Sequence, residues 1–61
     1  MDKPMGWEVT PDEYLGQGTD GMRYYRLGTQ VYRTANGYTS WVCTETCWRI
    51  TGVRMFMEVG G

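Results

Sequence analysis

The sequence predicts an all-β domain: a small twisted antiparallel sheet of four or five strands, run as a meander and curled toward a partly closed barrel. At most one helical turn is expected, near residues 10–15. Three observations lead there. Two turn signals, Gly28-Thr29 and Asn36-Gly37, each sit between strand-like segments. Gly-x favours a type II′ turn and Asn-Gly a type I′ turn, the two-residue turns whose twist matches that of paired strands. From Met22 onward, β-branched and aromatic residues dominate, which suits a pleated, half-buried surface.

Taken in order, residues 1–6 carry Pro4 and Gly6 and are expected to fray. Trp7-Glu8-Val9 reads as a short first strand. Thr10-Pro11-Asp12-Glu13 has the form of a helix start: Thr at the N-cap, Pro at the first helical position, Glu closing a capping box. Gly16 and Gly18 stop it after a turn, and residues 16–21 read as a glycine-rich loop. Strands follow at about 22–27, 30–35 and 38–43. A loop at Thr44-Glu45-Thr46 leads to a fourth strand at about 47–51. Gly52 is then a bulge or bend before a fifth strand at 53–59. A tight hairpin at Gly52 is disfavoured, because it sets Arg49 opposite Arg54.

The turns fix the register, with Leu27 opposite Gln30 and Ala35 opposite Tyr38. Tyr25, Tyr32 and Trp41 then fall side by side on one face, among Arg23, Gln30, Thr34 and Thr39. The other face carries Met22, Tyr24, Val31, Ala35, Tyr38 and Val42 and is the better core candidate, despite Arg26 and Arg33 at its margins. Trp48 and Ile50 join it if Cys43 aligns with Cys47. Trp7, Met55, Phe56 and Met57 are available to cover it.

The totals set limits. Sixty-one residues form one domain, 1–61, near the lower bound for a self-sufficient core. Three Trp, five Tyr and one Phe supply much of the area it has to bury. The net charge of −1 is unevenly spread: the acidic residues crowd the first third, while the positive charge from Met22 onward is all arginine. Arginine stacks on aromatic rings and forks onto carboxylates and phosphates better than lysine does. There is no 18-residue apolar run and no signal-peptide pattern, so a cytoplasmic chain without membrane contact is expected.

The chain has no histidine, which removes a His-based triad, a His metal ligand and the usual general base. The carboxylates are scattered and no Gly-rich loop has phosphate-binding spacing. Enzymatic activity, a cofactor and a metal are therefore not expected. Cys43 and Cys47 flank three residues, which is neither a redox nor a zinc spacing. They read as reduced, small apolar strand residues, or as a cross-strand disulfide closing the loop, a short one with little entropic gain.

The aromatic stripe has two readings. It is half of a barrel core, or it is a solvent-facing platform with Arg23 at one end and Arg49 opposite Trp41. Tyr25, Tyr32, Trp41, Arg23 and Arg49 are thus the candidate partner-binding residues. Aromatics with arginine are the residue types enriched in protein-binding hot spots, and the same set is able to stack single-stranded bases.

The order Gly6-Trp7-Glu8, then Asp20-Gly21 and Tyr24-Tyr25, then Thr39-Ser40-Trp41 resembles a WW domain. That family is a three-stranded meander that grips proline-rich peptides. The resemblance covers residues 6–41 and implies that Tyr25 and Trp41 line a ligand groove. This chain has longer segments between the motifs, no histidine in the second strand and no proline after Trp41.

The expected function is non-catalytic macromolecular binding. A protein partner comes first, with the chain as a small binder or inhibitor of the kind that phage and mobile elements encode, running from Met1 to a Gly-Gly end. The alternatives are single-stranded nucleic-acid binding and a self-associating structural subunit.

Overall fold

A computed structural model describes residues 3–4 and 6–57. Four strands form one antiparallel sheet in the order β1-β2-β3-β4: Glu13–Gln17, Arg23–Leu27, Gln30–Ala35 and Tyr38–Thr44. An α-helical turn, Glu45–Cys47, runs without a break into a π-helical stretch, Trp48–Gly52, and an α-helical turn, Val53–Phe56. Together they make one helix, α1 (45–56). The meander is as the turns predict. The sheet is open: β1 and β4 are its edges and do not meet, so the barrel does not close.

The two turns set the register read from the sequence. Leu27 pairs with Gln30 and Ala35 with Tyr38. Asn36 and Gly37 both take positive φ, +53° and +79°, as a type I′ turn requires.

The first segment departs from expectation. Trp7-Glu8-Val9 is not a strand, and no helical turn forms at residues 10–15. The groups that would have capped a helix are used on β2 and its turn instead. The Asp12 N–H donates to the Arg26 carbonyl at 2.8 Å, and the Asp12 carboxylate accepts from the Gly28 N–H at 2.7 Å. Arg26 also pairs with Glu13 at 3.1 Å. The chain from Glu13 is thereby held extended along β2. Leu15 is the extra residue of a bulge that keeps β1 paired, and Gly16 after it takes φ +121°. The expected fraying of residues 1–6 lies in part outside the described residues; within them, Pro4 accepts a hydrogen bond from the Trp7 N–H at 3.1 Å.

The last segment departs further, because α1 replaces the strands expected at 47–51 and 53–59. Residues 58–59 lie outside the described residues. Thr44 is extended and its hydroxyl accepts from the Cys47 N–H at 3.2 Å, an N-cap. Glu45 sits in the first turn, where a negative charge is favoured, and pairs with Arg49 one turn on at 3.1 Å. Trp48, Gly52 and Phe56, four residues apart, line the buried side of the helix. Trp48 is stacked with Tyr24 at 5.1 Å and parallel to Phe56 at 6.3 Å.

The core is the face that the sequence favoured. Tyr24, Val31, Cys43 and Trp48 are its buried centre, with Leu15, Met22, Val42, Val53, Phe56 and Met57 packed around them. Trp7 is not part of this cover, and Tyr38, Ile50 and Met55 stand exposed. The two margin arginines are tied down: Arg26 by Asp12, Glu13 and Glu45, Arg33 by Asp20. Among the described residues, no helix is long and apolar enough to cross a membrane.

Candidate functional site

The other face of the sheet carries the aromatic row. Tyr25 pairs with Tyr32 and Tyr32 with Trp41, as the register requires. The row is longer than the sequence reading made it. Tyr14 on β1 pairs with Tyr25, their rings 5.1 Å apart. One aromatic from each strand thus stands in line: Tyr14, Tyr25, Tyr32, Trp41. Tyr14 was missed because a helix start was read across it.

The row is neither wholly core nor wholly platform. Trp7 lies over its centre, 5.6 Å from Tyr25 and 5.7 Å from Tyr32, edge-on to the latter at 82°. Tyr25 is consequently buried, at 7% exposure. The two ends stay open, Tyr14 at 46% and Trp41 at 57%. The groove that the WW resemblance implies, from Tyr25 to Trp41, is therefore occupied at its Tyr25 end by the chain's own Trp7.

Trp41 is open but not free. Its indole Nε1–H donates to the Gln30 Oε1 at 2.8 Å, and the Gln30 amide donates in turn to the Thr29 hydroxyl at 3.0 Å. Gln30 is half-buried at the start of β3, so the ring is anchored to the sheet. Beside Trp7 an open groove of about 300 Å³ runs between Gly6, Glu8, Leu27, Tyr32 and Thr39. The Trp7 Nε1–H is buried and meets no acceptor among the described residues.

The two candidate arginines separate. Arg23 shares the row's face, paired with Gln17 and Thr34. It is exposed, makes no ion pair among the described residues, and lines an open cavity of about 370 Å³ with Pro4, Gln17, Thr34 and Asn36. Arg49 does not face Trp41. The Thr44 cap turns the chain into α1, which packs on the opposite face of the sheet, and Arg49 points to solvent beside Glu45.

Electrostatics mark the core side as structural. Burial would push the Asp20 carboxyl up, but the Met22 N–H, the Tyr24 hydroxyl and the Arg33 charge together hold it below 3.8. Burial raises the Tyr24 hydroxyl's pKa. The Cys43 thiol is pushed up to about 11, by burial first and then by the neighbouring Cys47 thiol. Both cysteines are free, Cys43 buried and Cys47 exposed. A thiol raised that far is a poor nucleophile and a poor metal ligand at neutral pH. Among the described residues, no group of three or more His, Cys, Asp or Glu stands close enough to hold a metal ion.

Comparison with protein-family models, with curated proteins and with solved structures found no match.

Proposed function

We propose that the chain is a non-catalytic module that binds another protein through the Trp41 end of the aromatic row, with Tyr32, Arg23 and the groove beside Trp7 completing the surface. Trp41 carries the reading. Its ring is more than half exposed, yet its hydrogen bond to Gln30 and its place beside Tyr32 already fix its orientation. Ordering an interface side chain costs binding energy, and here much of that ordering precedes the encounter. Trp, Tyr and Arg are the residues over-represented where interface energy concentrates. The adjoining groove offers room for an apolar side chain of the partner. A module this small acts by covering a surface of its partner, in the cytoplasm by our reading, and inhibition is the effect such covering has.

The test compares parent, Trp41→Ala and Ile50→Ala chains as baits in the source lysate, after melts have shown all three folded. Ile50 is as exposed as Trp41 but sits on α1. Loss of one captured protein with Trp41→Ala alone, by about 2 kcal/mol or roughly 30-fold in affinity, supports the reading. Equal capture by all three chains overturns it. So does tight, steeply salt-dependent binding of random single-stranded oligonucleotides, the signature of phosphate contacts.

A further inference from the structure

The strand order leaves two edges, and they are built differently. β1 is five residues long, carries Glu13, and is bent by the bulge at Leu15. Charge, shortness and bulges are the devices by which proteins blunt a sheet edge. β4 is seven residues, Tyr38–Thr44, with no charged residue, no proline and no glycine. Its one irregularity is the bulge at Val42, where Trp41 and Cys43 pair with the adjacent residues Tyr32 and Val31.

The turn decides which of its backbone groups are free. A two-residue type I′ turn makes the flanking pair, Ala35 and Tyr38, a hydrogen-bonded one. Pairs alternate along an antiparallel ladder. Arg33–Ser40 is therefore hydrogen-bonded, while Thr34–Thr39 and Tyr32–Trp41 are not. The N–H and C=O of Thr39 and Trp41 consequently point away from β3. Apart from the strand ladders, no described residue hydrogen-bonds to them.

We propose that this edge pairs with the same edge of a second copy, antiparallel about a two-fold axis at Ser40. That register sets Thr39 of each copy opposite Trp41 of the other, and it lets both outward residues exchange N–H···O bonds with outward residues. A shift of one residue faces an outward residue with an inward one. A register centred on Trp41 runs into the bulge at Val42, and one centred on Thr39 sets Trp41 against the turn residue Gly37. The strand suits its own copy because it is neutral: the side chains meeting across the axis are Tyr38, Thr39, Ser40, Trp41 and Val42, so no like charges oppose. Tyr38 at 64% and Trp41 at 57% exposure have apolar surface left to bury. Both aromatic rows then lie on one face of a doubled sheet, and both helices on the other. The inference stands on the backbone edge and not on the protein-binding reading above.

Sedimentation of the purified chain across the micromolar to millimolar range tests it, alongside Thr39→Pro and Thr39→Lys. Proline at Thr39 removes an N–H that the β3 ladder does not use, so the fold tolerates it while the pairing does not. Lysine brings like charges toward the axis without touching the backbone. The expected result is a concentration-dependent dimer for the parent and monomers for both variants, with circular dichroism unchanged. Should Thr39→Pro fail to fold, Thr39→Lys decides. A parent that stays monomeric at millimolar concentration overturns the proposal, as does a folded Thr39→Lys variant that dimerises like the parent. Thr39 also lines the groove beside Trp7, so these variants report the oligomeric state and capture is read with Trp41→Ala alone.

Discussion

Replacing Gly52 by alanine separates two physical accounts of α1. Gly52 has ordinary right-handed helical angles, φ −59° and ψ −41°. Judged by propensity alone, Gly→Ala in a helix interior stabilises by about 1 kcal/mol. Packing says the opposite. A Cβ at residue 52 would stand 2.5 Å from the Trp48 Cε3 and 3.1 Å from its Cδ2, well inside contact. Trp48 cannot move aside cheaply, since it is 5% exposed and packs against both Tyr24 and Phe56, which also touch each other. Overpacking of this kind costs about 1–3 kcal/mol. Close approach to a buried ring held in a three-ring cluster belongs at the upper end, so a net loss of about 1–2 kcal/mol remains after the propensity gain. For a domain of this size, each kcal/mol moves the midpoint by about 4–8 °C. A thermal melt followed by far-UV circular dichroism and by tryptophan fluorescence should therefore show Gly52→Ala about 5–15 °C below the parent. A midpoint equal to or above the parent's would refute the reasoning: Trp48 would not then lie flat on Gly52, and α1 would not be pinned to the sheet by that contact.

Other outcomes follow from the same geometry. Trp48→Ala should cost about 3–5 kcal/mol, most of the roughly 3–9 kcal/mol expected for a domain of this length, whereas Trp41→Ala should leave the melt close to the parent's; a paired denaturation series checks both. Trp7→Ala uncovers Tyr25 and Tyr32 and should cost about 2 kcal/mol, near half the figure for a fully buried tryptophan, with faster iodide quenching of the remaining fluorescence. The Asp20 carboxyl is held below its unfolded 3.8, so its contribution is full above that pH and is lost as pH falls through the folded value; melts from pH 5 down to 2 should show a steeper acid loss for the parent than for Asp20→Asn. Cys47 should alkylate in the folded protein at neutral pH and Cys43 only on unfolding, as intact mass after timed iodoacetamide treatment will show.

The middle of the chain was legible because its information is local. Gly28-Thr29 and Asn36-Gly37 demand particular turns, two-residue turns fix register, and register sets Tyr25, Tyr32 and Trp41 in line. The ends were not legible because tertiary contacts override their local preference. Thr10-Pro11-Asp12-Glu13 has good helix-start chemistry, but Asp12 and Glu13 gain more from Gly28 and Arg26, some sixteen and thirteen residues away. Trp48, Ile50, Thr51 and Val53 are strand formers by type. They become helical because Thr44 caps the turn and because Trp48, Gly52 and Phe56 at four-residue spacing present one apolar side to Tyr24. That spacing, with a Thr-Glu pair before it, was the available signal. Reading Gly52 as a bend hid it. The same error moved Arg49 onto the wrong face, while the helix start read at Thr10 removed Tyr14 from the row.

Two close-packed glycines on the core side explain how so few residues leave an aromatic face open. On the core side, Gly18 and Gly52 are places where a side chain has been given up so that a ring can occupy the space. A Cβ at Gly18 would fall 2.4 Å from the Tyr24 Cε1 and 2.8 Å from the Phe56 carbonyl oxygen. These close approaches let Tyr24, Trp48 and Phe56 stack as one unit between sheet and helix, so the apolar area that stability needs is concentrated in one layer. The opposite face is released from that demand. A single residue from the N-terminal segment, Trp7, covers the middle of the aromatic row, and the ends at Tyr14 and Trp41 are left over as surface. Stability and recognition therefore sit on different faces of the same four strands. A substitution at Gly18 should lower the melt as a substitution at Gly52 does, while leaving the environment of Trp41 and its hydrogen bond to Gln30 unchanged in whatever fraction remains folded.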